Sequence, residues 1–137
     1  SKEAFYNVDY TYCYEVARLA RENDAHHLML ISSMGADENS RIFYSRVKGE
    51  LETAVQKLQY RAISIFRPSL LLGSRQEFRL REEIGKVAGG FFSFLTPAKY
   101  KPIHAQTVAR AIVSTATEDV SGFRIFESDQ IRKIGDN

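Results

Sequence analysis

Two short apolar runs, Leu28-Met29-Leu30-Ile31 and Ala62-Ile63-Ser64-Ile65-Phe66, flank a stretch with helical periodicity, and this arrangement constrains the chain more than any other feature. Consecutive apolar residues between polar clusters predict a short strand buried on both faces, the kind found in parallel sheets covered by helices. Between the runs, Tyr44, Val47, Leu51, Val55 and Leu58 mark an amphipathic helix, with Asn39 or Ser40 as its cap. Before them, Val8, Tyr12, Val16 and Leu19 recur at helical spacing, and Asn23 closes that segment. Pro68 ends the second strand because it cannot donate to a ladder. Further on, Val108, Ala109, Ile112, Val113 and Ala116 predict a third helix, Phe123 to Phe126 a strand, and Ser128 the start of a short final helix. Residues 74–101 are less regular: Glu77 to Val87 reads as helix, and Gly89-Gly90 and Pro97 bracket a loop carrying Phe91, Phe92 and Phe94. We expect this stretch to be a substrate-side insertion.

Helix, strand, helix, strand, irregular segment, helix, strand is the alternation of an α/β parallel sheet, whose ligands lie beyond the carboxyl ends of the strands. Three strands leave an inner edge with unpaired backbone groups and an apolar side uncovered. A dinucleotide-binding sheet opens with strand, Gly-x-Gly-x-x-Gly, helix, and the sequence contains no such fingerprint. The expectation is therefore the C-terminal half of a doubly wound sheet, with the glycine-rich N-terminal half absent. Either that half lies elsewhere, or this piece does not bind cofactor unaided.

At 137 residues the chain has the length of one domain. Its 19 basic and 17 acidic residues are scattered, so no basic footprint for nucleic acid exists. No apolar run approaches the roughly 20 residues that span a bilayer. The single cysteine, Cys13, permits neither an internal disulfide framework nor a multi-cysteine zinc site, and its helical setting gives it a packing role. His26-His27 reads as a pair of solvated turn residues rather than metal ligands, and no metal is expected. With no signal peptide at the start, the cytoplasm is the expected location.

Tyr44 and Lys48 stand four residues apart on the second helix, so their side chains share a face. An ammonium beside a phenol favours the phenolate and eases proton exchange at neutral pH. Ser33, where the first strand ends, is placed to donate a hydrogen bond to a substrate carbonyl in the crevice. Proton donor, tuner and polariser are then Tyr44, Lys48 and Ser33. The structural alternative is a core tyrosine on the apolar stripe with Lys48 snorkelling to solvent. Tyr-x-x-x-Lys alone is a weak motif. Its place between a Ser-ending strand and one ending in Phe66-Arg67-Pro68 favours the chemical reading.

Ser32-Ser33, Tyr44-x-x-x-Lys48 and Arg67-Pro68-Ser69-Leu70-Leu71-Leu72-Gly73 resemble, in order and spacing, the strand end, catalytic pair and Arg-Pro turn of extended and atypical short-chain dehydrogenases/reductases. More narrowly, Ser32-Ser33-Met34-Gly35-Ala36-Asp37, Phe43-Tyr44, Val47-Lys48-Gly49-Glu50 and Arg75-Gln76-Glu77 are similar to the Tat-interacting, metastasis-suppressor oxidoreductase-like branch and its bacterial relatives. The resemblance implies that residues 1–137 form part of a Rossmann-type NAD(P)-binding domain. It implies NADP(H) as cofactor, with NAD(H) left open, and a small-molecule substrate of unknown identity. By the same resemblance Tyr44 would hold the substrate carbonyl and Lys48 the nicotinamide ribose. Ser33 would polarise the carbonyl, Ser32 if the strand end is offset by one. Asn7 resembles the Asn that supports the Lys, with a helix N-cap as its alternative role. Arg67 and Pro68 would lie beside the nicotinamide through their backbone, and His104 near the substrate pocket or at a helix cap. Two functions follow as expectations: an NADP(H)-dependent oxidoreductase with Tyr44 as proton donor, or a non-catalytic regulatory protein of the same fold acting through a protein partner or as a homodimer.

Overall fold

The structure, a computed structural model, describes residues 1–73 and 97–137. Most of the expected insertion at 74–101, including the helix at 77–87 and the phenylalanine loop, lies outside the described residues. The chain divides into two compact units, one made of Ser1–Arg67 with Glu118–Phe126 and the other of Pro68–Thr117 with Glu127–Asn137.

The first unit is α/β. Helix α1 (Lys2–Tyr6) runs into a π-helical turn (Asn7–Tyr12) and then α2 (Cys13–Glu22). Asn23 caps α2, its side-chain amide donating to the Leu19 carbonyl at 2.8 Å, and Asp24 takes the positive φ that turns the chain away. Strand β1 (His27–Ile31) follows, then α3 (Phe43–Gln56) and β2 (Ala62–Arg67). Strand β5 (Gly122–Glu127) lies on the other side of β2, giving the order β1-β2-β5. β1 and β2 are parallel, pairing His27 with Ala62 through Ile31 with Phe66. The α/β parallel sheet read from the sequence is what the chain forms.

Burial within this sheet is uneven. The central β2 is buried from Ala62 to Phe66, with Ile65 and Phe66 wholly enclosed, and the Phe66 ring stacks on Phe126 at 5.1 Å between centroids. β1 was expected to be buried on both faces. It is only half-buried, and Ile31 is exposed, because among the described residues β1 has a hydrogen-bonded neighbour, β2, on one side alone. The core joins Ala17 of α2, Leu51 and Val55 of α3, Tyr60, Ile63 and Ile65, with Tyr10, Cys13 and Tyr14 packed against it. Cys13 thus takes the packing role its setting suggested.

The expected apolar stripe of α2 faces the wrong way for this core: Val8, Tyr12, Val16 and Leu19 are all exposed, and the opposite face carries Ala17 inward. Tyr12, Cys13, Val16 and Ala17 form, with Leu28, Met29 and Leu30 of β1, an apolar groove of about 310 Å³. His27 is also corrected. It is a strand residue whose Nε2 lies 2.9 Å from Ser64 Oγ, and burial, with the nearby Arg124 charge, pushes its pKa down.

In the second unit β3 (Leu71–Leu72) and β4 (Ile103–His104) form a two-stranded parallel ladder that no sequence signal announced. α4 (Ala105–Ala116) packs against α5 (Ser128–Gly135). The buried face of α4 is Thr107, Val108, Ala111 and Thr115, while Val113, expected inside, is exposed. α5 opens with a capping box between Glu127 and Gln130. His104 occupies the N-cap position of α4 but makes no side-chain capping bond.

Candidate functional site

The candidate site is built from three pieces of the first unit: the end of β1, the start of α3 and the π turn before α2. β1 runs out at Ile31, and the Ser32 amide still donates to the Phe66 carbonyl at 2.7 Å, so the strand pairing holds both serines in place. The hydroxyls of Ser32 and Ser33 are buried, and neither has a hydrogen-bond partner among the described residues. Buried hydroxyls in native proteins are normally satisfied, so two adjacent orphans at a strand's carboxyl end mark this strand end as the candidate position.

Gly35 takes a positive φ of 79° as the chain leaves the strand. Residues 36–38 then cross α3, with the Asp37 amide bonded to the Ser45 carbonyl at 3.0 Å. That crossing requires Gly49: a Cβ there would stand 2.2 Å from the Glu38 nitrogen and 2.3 Å from the Asp37 carbonyl carbon. The Ser40 hydroxyl accepts from the Ile42 amide, and Ile42 itself is the N-cap of α3, without a side-chain cap bond. Neither Asn39 nor Ser40 caps the helix as expected, because the chain turns at 38–39 and the last extended residue before the helix is Ile42.

On α3 the apolar face is Val47, Leu51 and Val55, and Tyr44 is not part of it. Tyr44 is 46% exposed, and its ring packs tilted at 47° against Phe5, with centroids 5.3 Å apart. This removes the core-tyrosine alternative. Lys48 Nζ lies 5.9 Å from the Tyr44 ring centroid, so the expected pair shares a face. Lys48 does not snorkel outward either: its side chain is 12% exposed, and Nζ is 2.6 Å from Asp9 Oδ1. Asn7, expected to support Lys48 or to cap a helix, is instead the C-cap of α1 and first residue of the π turn, with helical backbone angles. Asp9, two residues on, holds the lysine. Sequence reasoning missed it, and nothing local announces an ion pair across 39 residues.

Along the helical segment that carries Asp9, Tyr6, Tyr10 and Tyr14 stack at 4.8 and 6.1 Å between successive centroids. Burial, reinforced by the neighbouring tyrosine and Glu50, raises the pKa of Tyr6, and burial, then Tyr14 and Glu50, raises that of Tyr10. Both remain neutral phenols. At the end of β2 the Arg67 guanidinium is engaged by Glu52 of α3 through two bonds, 3.0 and 2.6 Å. The Arg67 side chain is therefore held by Glu52. Pro68, the other member of that turn, is buried in the second unit.

The chain is of the α/β class, with a half-exposed tyrosine and a pinned lysine on the helix that follows a parallel strand ending in two orphan serine hydroxyls. No protein-family model matches the chain. It is similar over 134 residues, 97% of its length, to the protein named HTATIP2 of Rattus norvegicus, with 34% identity. It is also 36% identical over 122 residues to the protein named FMP52, mitochondrial, of Debaryomyces hansenii, and 35% identical over 124 residues to its namesake in Candida albicans. The chain is a relative of the HTATIP2 and FMP52 proteins and spans about half the length of the curated relatives it matches, 55% of the rat protein and 54% of each yeast one.

The relatives correct one expectation. Several of the fungal proteins that the chain resembles are named mitochondrial, so the expected cytoplasmic location does not stand. The cytoplasmic reading rested on the lack of a leader at the start of this sequence, and a chain that spans half of its relatives carries no information there. Among the described residues no helix is long and apolar enough to cross a membrane, and no group of three or more His, Cys, Asp or Glu could hold a metal.

Proposed function

We propose that this chain supplies the catalytic side of an NADP(H)-dependent oxidoreductase of the short-chain dehydrogenase/reductase kind, acting on a carbonyl or alcohol. The observation that carries the reading is the Tyr44–Lys48 pair, exposed at Tyr44 and pinned at Lys48, which follows the strand that ends in two unpartnered serine hydroxyls. When bound, the nicotinamide supplies or accepts hydride. The residues of this chain do the rest. Ser33 donates a hydrogen bond to the substrate oxygen, with Ser32 as its neighbour. Tyr44 passes the proton to or from that oxygen, and Lys48 holds the ribose hydroxyls beside Tyr44. Arg67 and Pro68 contribute backbone at the turn after β2. Asn7, at the start of the turn that carries Asp9, would support Lys48 from the same turn. Relatedness to the HTATIP2 and FMP52 proteins supports an NAD(P)-binding role and leaves NAD and NADP unseparated.

The test is a reductase assay of the full-length protein against a panel of aldehydes, ketones and quinones with NADPH and NADH. Tyr44→Phe is expected to lower kcat by about 10²-fold or more on any substrate found, with cofactor Kd little changed. Equal turnover by wild type and Tyr44→Phe would sink the proton-donor assignment. Cofactor binding without turnover across the panel would favour the non-catalytic alternative.

A further inference from the structure

Lys48 reaches back to a residue outside every motif in the chain. Its Nζ lies 2.6 Å from Asp9 Oδ1, and the two side chains keep 12% and 24% of their surface. A lysine so covered would be poorly solvated without a partner, and Asp9 is the anion at hydrogen-bond distance. Asp9 sits inside Asn7–Tyr12, the one π-helical stretch among the described residues. π turns are rare, lack a propensity that favours them, and recur at functional sites because the wider turn re-aims side chains. No glycine or proline in Asn7-Val8-Asp9-Tyr10-Thr11-Tyr12 excuses this one. Contacts must offset its cost, and the buried ion pair to α3 is such a contact.

We propose that Asp9 is a positioning residue for Lys48, and that the π turn exists to aim it. The inference rests on the reading of Lys48 as the ribose-binding group. An ammonium has three N–H donors and freely rotating bonds behind it. The Asp9 carboxylate takes one donor and fixes the side chain along α3, beside the Tyr44 ring, leaving two donors for the vicinal hydroxyls of a nucleotide ribose. Asp9 touches neither cofactor nor substrate, and its whole effect passes through Lys48.

A double-mutant cycle on NADPH affinity separates this from a structural role. NADPH fluorescence titration would be run on the full-length wild type, Asp9→Asn, Lys48→Met, the double variant and Asp9→Glu, each checked for folding by thermal melting. Replacing the charge-assisted bond by a neutral one in Asp9→Asn is expected to raise the NADPH Kd about tenfold, with less than a twofold further change in the Lys48→Met background. Asp9→Glu, which keeps the charge, should recover to within about threefold of wild type, and Asp9→Ser, which also removes the charge, takes the place of Asp9→Asn in the cycle should that variant not fold. An equal effect of Asp9→Asn with and without Lys48 would overturn the inference, as would no effect of Asp9→Asn while Lys48→Met weakens binding. In both cases the reading of Lys48 stands. If Lys48→Met itself binds NADPH as wild type does, that reading falls and the inference with it.

Discussion

Replacing Gly49 by alanine sets two known effects against each other. In a helix interior alanine is better than glycine by about 1 kcal/mol, so α3 on its own would gain. The added Cβ, however, would stand 2.2 Å from the Glu38 nitrogen, 2.3 Å from the Asp37 carbonyl carbon and 2.7 Å from the Asp37 Cα. All three obstacles are backbone, which cannot rotate aside as a side chain would, and ordinary contact would require the 36–38 crossing to lift by more than 1 Å. Overpacking of this kind costs typically about 1–3 kcal/mol and sometimes more. Lifting the strap also breaks the Asp37 amide bond to the Ser45 carbonyl, worth about another 1 kcal/mol. Subtracting the helix gain leaves a net loss of about 1–3 kcal/mol, a drop in the urea midpoint on the order of 1 M for a slope of about 1–3 kcal/mol per M. Urea unfolding followed by far-UV circular dichroism measures it. A Gly49→Ala protein as stable as wild type would refute the argument, because it would mean the strap yields freely and the glycine answers only to helix propensity.

His27 has a folded-state pKa lowered by burial, so the folded protein binds fewer protons than the unfolded chain just below the ordinary histidine value of 6.5. Its contribution is fully present above that value and is lost as pH falls below it through the lowered folded-state pKa, and His27→Gln should flatten the acid side of a plot of unfolding midpoint against pH below about 6.5. Glu52→Gln removes the charge that both Glu52 oxygens present to Arg67 in a pair that is 5% and 19% exposed. Differential scanning fluorimetry should show a loss equivalent to about 2–3 kcal/mol, and an unchanged melting point would show that the pair contributes nothing net.

The elements were legible because their signals are local. Apolar runs gave β1, β2 and β5, and the α3 stripe gave the correct inner face at Val47, Leu51 and Val55. What failed depended on distant partners. The stripe Val8, Tyr12, Val16 and Leu19 has perfect helical spacing, but spacing states that a face is apolar and not what covers it. The π turn is invisible to a 3.6-residue reading because it inserts itself within one turn. Two-residue strands such as β3 and β4 are shorter than any periodic signal. At the site, Tyr44 and Lys48 could be read because i and i+4 are neighbours on any helix. Asp9 could not, since its nearness to Lys48 exists only once α2 lies against α3.

The uncovered apolar face supports a last prediction. Val8, Tyr12, Val16 and Leu19 remain 48–67% exposed, and burying what is left of each would contribute about 1–1.5 kcal/mol, roughly 5 kcal/mol together. Association costs at least about 4 kcal/mol in lost freedom, so this patch alone gives no tight complex. Among the described residues β1 pairs on one side alone, and strand pairing at its other edge, beside the same groove, would supply the remainder. Residues 1–137 expressed alone should therefore self-associate weakly, with a Kd on the order of 100 μM. Sedimentation equilibrium would show it, and Val16→Lys, at the centre of the stripe, should shift the species toward monomer. In a longer polypeptide that covers this face, the same substitution buries an unpaired charge and should instead cost about 2–4 kcal/mol of stability. A chain that stays monomeric at millimolar concentration, together with a Val16→Lys variant that is neutral in the longer protein, would show that this face is simply solvated.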